Sequence, residues 1–316
     1  MTVSAPLPAS SRDETTRAIF YAVAAVFVFA AVNALTKWEV ARYPITEVVL
    51  FRSIFALVPC AGLVAASGGL PVLRTRRLAE HFMRALVQFI CVASIFVAFR
   101  MMPLADAVAI TFTSPLFMTL LSIPLLGEQV GRHRWTAMLA GFAGVLIMAP
   151  PGLGLLSGGA FFALVNAASN AYVTIAVRRM SGTEASTTLV AYQLGFNALF
   201  ALVLLPLGWT APTLADAALM ALIGLGAGVG QYWWTQAFRY APTAVAAPFS
   251  YTAMIWALLF GFLIWGDMPT SALLTGAASI AASGLYILYR ETIRRRRPAA
   301  AAAGAATLGT PQAAGR

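Results

Sequence analysis

The chain has 316 residues, of which 60% are hydrophobic and only 10% charged, and its net charge is +10. A soluble domain carries roughly 25% charged residues, so this composition excludes an ordinary soluble fold and requires an outside that faces lipid. The basic excess does not imply nucleic acid, because the arginines lie in short segments between apolar runs and no helix-turn-helix or RNA-binding pattern accompanies them.

Crossing the hydrocarbon layer takes about 20 mostly apolar residues. In chain order the segments that qualify are 18–36, 46–66, 82–100, 105–125, 135–150, 158–177, 187–206, 215–237, 244–265 and 271–289. The expected class is an all-α integral membrane protein of ten transmembrane helices. Residues 1–17 read as an N-terminal tail, 18–150 and 158–289 as two five-helix units, and 290–316 as a basic, then disordered tail. The first apolar run ends at Asn33, Thr36 and Lys37 without a small-x-small cleavage site, so it reads as a retained helix. Cys60 and Cys91 lie inside apolar segments and read as small core residues. His81 and His133 flank helices, so no metal cluster and no cofactor is expected.

Loop charge sets the orientation. With the N-terminus inside, the inner segments hold sixteen arginines, among them Arg74, Arg76, Arg77, Arg178, Arg179 and the run Arg294–Arg297. The outer loops hold only Lys37, Arg42 and Arg100. That asymmetry predicts a multi-pass protein of the bacterial cell inner membrane with both termini cytoplasmic.

The chain also matches itself without gaps at an offset of 139 residues. Ala98–Phe99–Arg100, Pro103 and Gly127–Glu128 reappear as Ala237–Phe238–Arg239, Pro242 and Gly266–Asp267; a weaker match, outside that register, puts Asn33–Ala34 over Asn170–Ala171. A repeat of five helices is odd, so the second copy enters the membrane from the opposite side. Inverted repeats are a common transporter architecture, with a site near the midplane between the halves. A duplication without a transport role is the plainer reading.

In these motifs the chain resembles the drug/metabolite transporter superfamily, EamA family. The stretch 103–152, with Pro115, the exit Leu126–Gly127–Glu128 and Gly141 and Gly144, is similar to that family's fourth and fifth helices; 235–270 is similar to its ninth. The basic stretch from Arg74 to Arg84 and the run Ala247–Thr252 resemble the branch containing riboflavin and S-adenosylmethionine importers. The resemblance implies alternating access and a small-molecule substrate, with riboflavin uptake first, S-adenosylmethionine import or export of amino acids and drug-like metabolites behind it. Two departures stand out. Asp267 replaces the family's usual Glu, and Ser250 stands where that branch often has an acid, which weighs against a sulfonium cation.

Several residues have both a functional and a plainer reading. No GxxxxGK[ST] loop occurs, so the chain does not hydrolyse ATP itself. Asp106 is the candidate coupling carboxylate, or a helix cap. Arg52, a third of the way into its helix, either holds an anionic or carbonyl group of a substrate, pairs with Glu47, or snorkels to headgroups. Gln193 is its second-half counterpart. Trp234, Tyr251 and Trp256 either stack a flat ring or pack against lipid. The amides of Asn33 and Asn170 bind helix partners or a ligand. Gly224 and Gly228 form a GxxxG pair that serves close packing or a gating hinge, and Pro115 and Pro248 can kink their helices. An enzyme would need a converged acid/base, nucleophile or metal set, which the apolar segments lack. A channel would need polar rings along a pore. The expected partners are a small-molecule substrate and the lipid bilayer, and a homodimer is compatible with this reading.

Overall fold

A computed structural model describes residues 12–126, 132–148, 158–240 and 247–283, together with 285, 286 and 289. The chain is all helical over these residues. The helices are α1 (Arg12–Val40), α2 (Ile45–Ala66), α3 (Leu78–Met101), α4 (Leu104–Thr111), α5 (Ser114–Leu126), α6 (Arg132–Met148), α7 (Gly158–Met180), α8 (Ser186–Leu204), α9 (Leu214–Tyr240), α10 (Thr252–Trp265) and α11 (Ser271–Ser283). Seven spans are long and apolar enough to cross a membrane, counting α4 and α5 as one; α6, α10 and α11 contain shorter apolar stretches. Helix α1 starts inside the segment expected to be a tail, because Arg12–Arg17 continue its helical run. The motif residues Gly127, Glu128 and Pro242, the tail from 290, and residues 1–11 lie outside the described residues.

The outward faces stay apolar. Ile255, Leu259, Phe262 and Leu263 on α10 are all exposed, as are Leu139, Phe142, Leu146 and Ile147 on α6. A surface of this kind is stable against hydrocarbon and costly against water.

Local sequence explains where helices stop. The fourth predicted span is two helices broken at Phe112–Thr113, with Pro115 at the second position of α5. Proline lacks an N–H and its ring clashes with a preceding carbonyl, so it is accommodated in a first turn rather than mid-helix. Thr111 and Thr113 donate their hydroxyls to the carbonyls of Val108 and Ile110 beside the break, as a dry bilayer demands. Pro248 likewise falls in a 3-10 turn, Ala247–Tyr251, that leads into α10. Gly266 ends α10 with φ at +70°. The Gly266 N–H donates to Phe262 and the Asp267 N–H to Gly261, an αL closure that favours glycine. This is why the Gly–acid motif marks a helix exit.

Packing is reciprocal between the halves. α1 lies along α9 and, in the same relation, α7 along α3; α2 touches α9 as α8 touches α3; α10 meets α1 as α5 meets α7. The helices α2 and α8, and α4 and α10, pair with their own counterparts. So do α6 and α11, where Ser279 donates to the Ala140 carbonyl at 2.9 Å and a Cβ on Gly144 would stand 2.7 Å from the Gly276 carbonyl oxygen. Exchanging the halves leaves this pattern unchanged, which is two-fold pseudosymmetry.

Candidate functional site: a cavity between the repeats

The two halves enclose a cavity of about 380 Å³ lined from α1, α2, α3, α7, α8 and α9. Ligand pockets for small molecules span roughly 300–1,000 Å³. Its inner end is set by Arg52, Ala56, Val92, Asn197 and Ala227. Its mouth lies at the bundle end that carries the α2–α3 and α7–α8 connections, where the lining residues Ser181, Ser186, Gln231, Tyr232 and Thr235 are exposed.

Two arginines reach the cavity. Arg84 on α3 is 1% exposed; it donates to Gln193 Oε1 at 2.7 Å and to the Leu189 carbonyl at 2.6 Å. Arg52 on α2 makes no hydrogen bond or ion pair among the described residues, and its guanidinium sits 5.9 Å from the Phe96 ring centre. Glu47, the partner considered for it, instead accepts the Thr210 N–H at 3.1 Å. Amides supply much of the other polar lining: Gln88, Gln193, Gln231, Gln236 and Asn197, whose buried Oδ1 has no hydrogen-bond partner; hydroxyls line the mouth. No acidic residue lines the cavity among those described.

The wall between α2 and α9 depends on glycine. A Cβ at Gly224 would lie 2.5 Å from Phe55 Cβ and 2.8 Å from the Arg52 carbonyl oxygen, and one at Gly228 would run into the Pro59 ring. Gly226 and Gly230 meet α1 in the same way, at Val32 and Phe29. Small residues on both faces let α9 wedge between α1 and α2.

Both ends of the bundle carry polar latches joining the halves. At the closed end, Asp216 accepts from Tyr43 at 2.7 Å, Thr213 at 2.7 Å and Arg42 at 3.2 Å. Tyr43 lies in the turn between α1 and α2. Its hydrogen bond to Asp216, with burial second, raises its phenol above the usual value. Lys37 donates to the Met102 carbonyl at 2.6 Å nearby. At the mouth end, Thr75 and Arg77 donate to Glu184 and Thr183, each at 2.8 Å. There Thr188 and Tyr192 donate to the carbonyls of Val72 and Leu73, and buried His81 lies 3.5 Å from Glu184. The two latches are pseudosymmetric: the turn between the first two helices of one half meets the loop between the second and third helices of the other.

Of the residues singled out in the sequence, Arg52, Gln193 and Gly228 line the cavity. The aromatics Trp234, Tyr251 and Trp256 do not. Trp234 packs, like Tyr21 and Phe249, against Ala22 and Ala237; Tyr251 stacks on Phe112 at 5.0 Å, and Trp256 meets Phe27 edge-on at 4.9 Å. Asn33 is half-buried outside the cavity, and Asn170 donates to Ser114 at 3.1 Å. Asp106 lines a smaller pocket with Asp267 beyond the closed end and makes no side-chain cap bond. Sequence reasoning passed over Arg84, Gln88, Asn197 and the latch residues Tyr43 and Glu184. An arginine inside an apolar segment is a site candidate by default, so Arg84 carried a signal; the latches are long-range pairs that no local pattern shows.

The profile of the EamA-like transporter family matches residues 16–149 and again 157–290. The chain is 28% identical over 292 residues to the riboflavin transporter of Rhizobium johnstonii, covering 90% of this chain and 96% of that one. It is 29% identical over 273 residues to the pseudopaline exporter CntI of Pseudomonas aeruginosa, covering 83% and 92%. It is 24% identical over 259 residues to the S-adenosylmethionine uptake transporter of Rickettsia bellii, covering 82% and 89%. With both halves matched in turn, the chain belongs to the EamA-like transporter family.

Proposed function

We propose that this protein is a secondary carrier that moves a small polar metabolite across a bacterial inner membrane by alternating access, with riboflavin uptake as the specific reading. The observation that carries it is the cavity between two reciprocally packed halves, open at one end and closed at the other. The seven long and three short apolar helices are read as ten crossings in two inverted units, with both termini and the mouth on the cytoplasmic side. The riboflavin reading is supported by the named relative and by a lining rich in amides, which suit the edge of a heterocycle. It draws no support from Trp234, Tyr251 and Trp256, which pack elsewhere. The lack of an acid among the described residues of the cavity favours riboflavin over a sulfonium cation.

The test is uptake of labelled riboflavin by proteoliposomes containing the purified chain. Saturable uptake competed by unlabelled riboflavin is expected. Flux linear in concentration and accompanied by ion conductance would replace the carrier with a channel. Saturable transport of another solute, with none of riboflavin, would retain the carrier and remove the substrate.

A further inference from the structure

Arg52 and Arg84 place two positive charges in one cavity with no acidic side chain on its described walls. A charge inside the bilayer costs several kcal/mol on insertion scales and is normally paired. Arg84 is held by neutral acceptors only. Arg52 has a ring to one side and no hydrogen-bond partner among the described residues. Its guanidinium presents a planar fork of N–H donors matched to carboxylate and phosphate oxygens.

Of the neighbouring amides, Gln193 adds to the donor side, while Asn197 offers an unpartnered Oδ1 acceptor. Gln193 Oε1 is occupied by Arg84, so the free end of that amide is its NH2 group. The two arginines also differ in depth. At 1.5 Å rise per residue, Arg84 sits about 9 Å from the mouth-side end of α3 and Arg52 about 21 Å from the mouth-side end of α2. A solute entering from the mouth meets the first positive charge fixed in the wall and the second unsatisfied at the inner end.

We propose that the cavity is an oxyanion site: it selects substrates bearing a carboxylate or phosphate, drawn in past Arg84 and seated on Arg52. This rests on the carrier reading and deepens it, but not on the riboflavin one, since it places a negatively charged metabolite ahead of a neutral one such as riboflavin. Low dielectric and an enclosed wall make such a contact stronger than the same pair in water.

The test uses the purified full-length chain in neutral detergent and matched probes that differ in charge: riboflavin against riboflavin 5′-phosphate, and nicotinamide against nicotinate. Binding is read by thermal shift and by titration. In a pair that binds, the anionic member is expected to bind about tenfold tighter. That advantage should persist in Arg52→Lys and vanish in Arg52→Gln. In the wild type it should shrink with added salt, a readout that stands even if Arg52→Gln does not fold. Riboflavin binding with no gain from the phosphate overturns the oxyanion site and leaves the riboflavin reading intact. A nicotinate advantage without flavin binding supports the oxyanion site and removes riboflavin. If no anion outbinds its neutral partner, or only added phosphatidylglycerol protects, the proposal is overturned.

Discussion

Arg84 and Arg52 belong to the same cavity but are held differently, and substitution should separate them. Arg84→Met removes two charge-assisted hydrogen bonds and strands Gln193 Oε1, while the Leu189 carbonyl stays within the α8 ladder; such bonds contribute roughly 1.5–3 kcal/mol each. Arg52→Met breaks none, since that guanidinium has no hydrogen-bond partner among the described residues. We expect Arg84→Met to lower the melting temperature clearly and Arg52→Met to leave it near wild type while impairing uptake. Equal melting temperatures would remove the structural role of Arg84. Tyr43 provides a pH signature. Its phenol is raised from an ordinary value of 10.0, chiefly by donating to Asp216. The neutral form is therefore favoured by folding, and its contribution is complete below about pH 10 and is lost as pH climbs through the folded value. The stability gap between wild type and Tyr43→Phe should narrow above pH 10 in alkaline melts; a gap that widens would contradict this hydrogen bond. The sequence marked Arg52 by its place in an apolar run, but whether a carboxylate met it was a question of packing.

At the scale of helices, the α9 glycines separate spacing from contact. Gly224 and Gly228 form a visible GxxxG pair, yet only the fold shows them against α2 at Arg52, Phe55 and Pro59. A side chain at Gly224 meets backbone, which cannot swing aside. Gly224→Val and Gly228→Val are each expected to cost about 1–3 kcal/mol by overpacking. Gly62 and Gly195 have nothing within 4 Å of an added Cβ, so their alanine variants should be neutral or gain about 0.5–1 kcal/mol of helix preference. Thermal unfolding of the four variants checks the contrast, and tolerance of valine at 228 would show that α2 and α9 part easily. The break at Phe112–Thr113 follows the same logic: a proline was visible at 115, but the chain solved its clash by starting a new helix just before it.

Across the whole molecule the halves are tied by two latches, and the one at the closed end is testable without knowing the substrate. Asp216 accepts from three groups across the α1–α2 turn and the start of α9. Asp216→Asn removes its charge and weakens that closure. In a background lacking Cys60 and Cys91, a cysteine replacing the buried Asn197 should react faster with an impermeant thiol reagent applied from the closed end. Unchanged labelling would show that Asp216 does not hold this end shut. Topology is checked the same way. A cysteine at Arg100 should label from outside the cell and one at Arg239 should not; labelling of both from one side would refute inverted halves.

Composition, apolar run length and the 139-residue echo between Arg100 and Arg239 were enough to read a helical membrane protein in two copies, because hydrocarbon imposes its demands on every span separately. Gly266 could be placed at a helix exit for the same reason: its conformation is a local matter. The site was only half legible. Arg52 and Gln193 lie on helices from different halves, and what they share is the space left when α2, α3, α8 and α9 pack. The aromatics Trp234, Tyr251 and Trp256 are close to that region in sequence but turn to other neighbours. Which face of a helix looks inward depends on contacts between residues more than a hundred positions apart, and only the tertiary structure decides it.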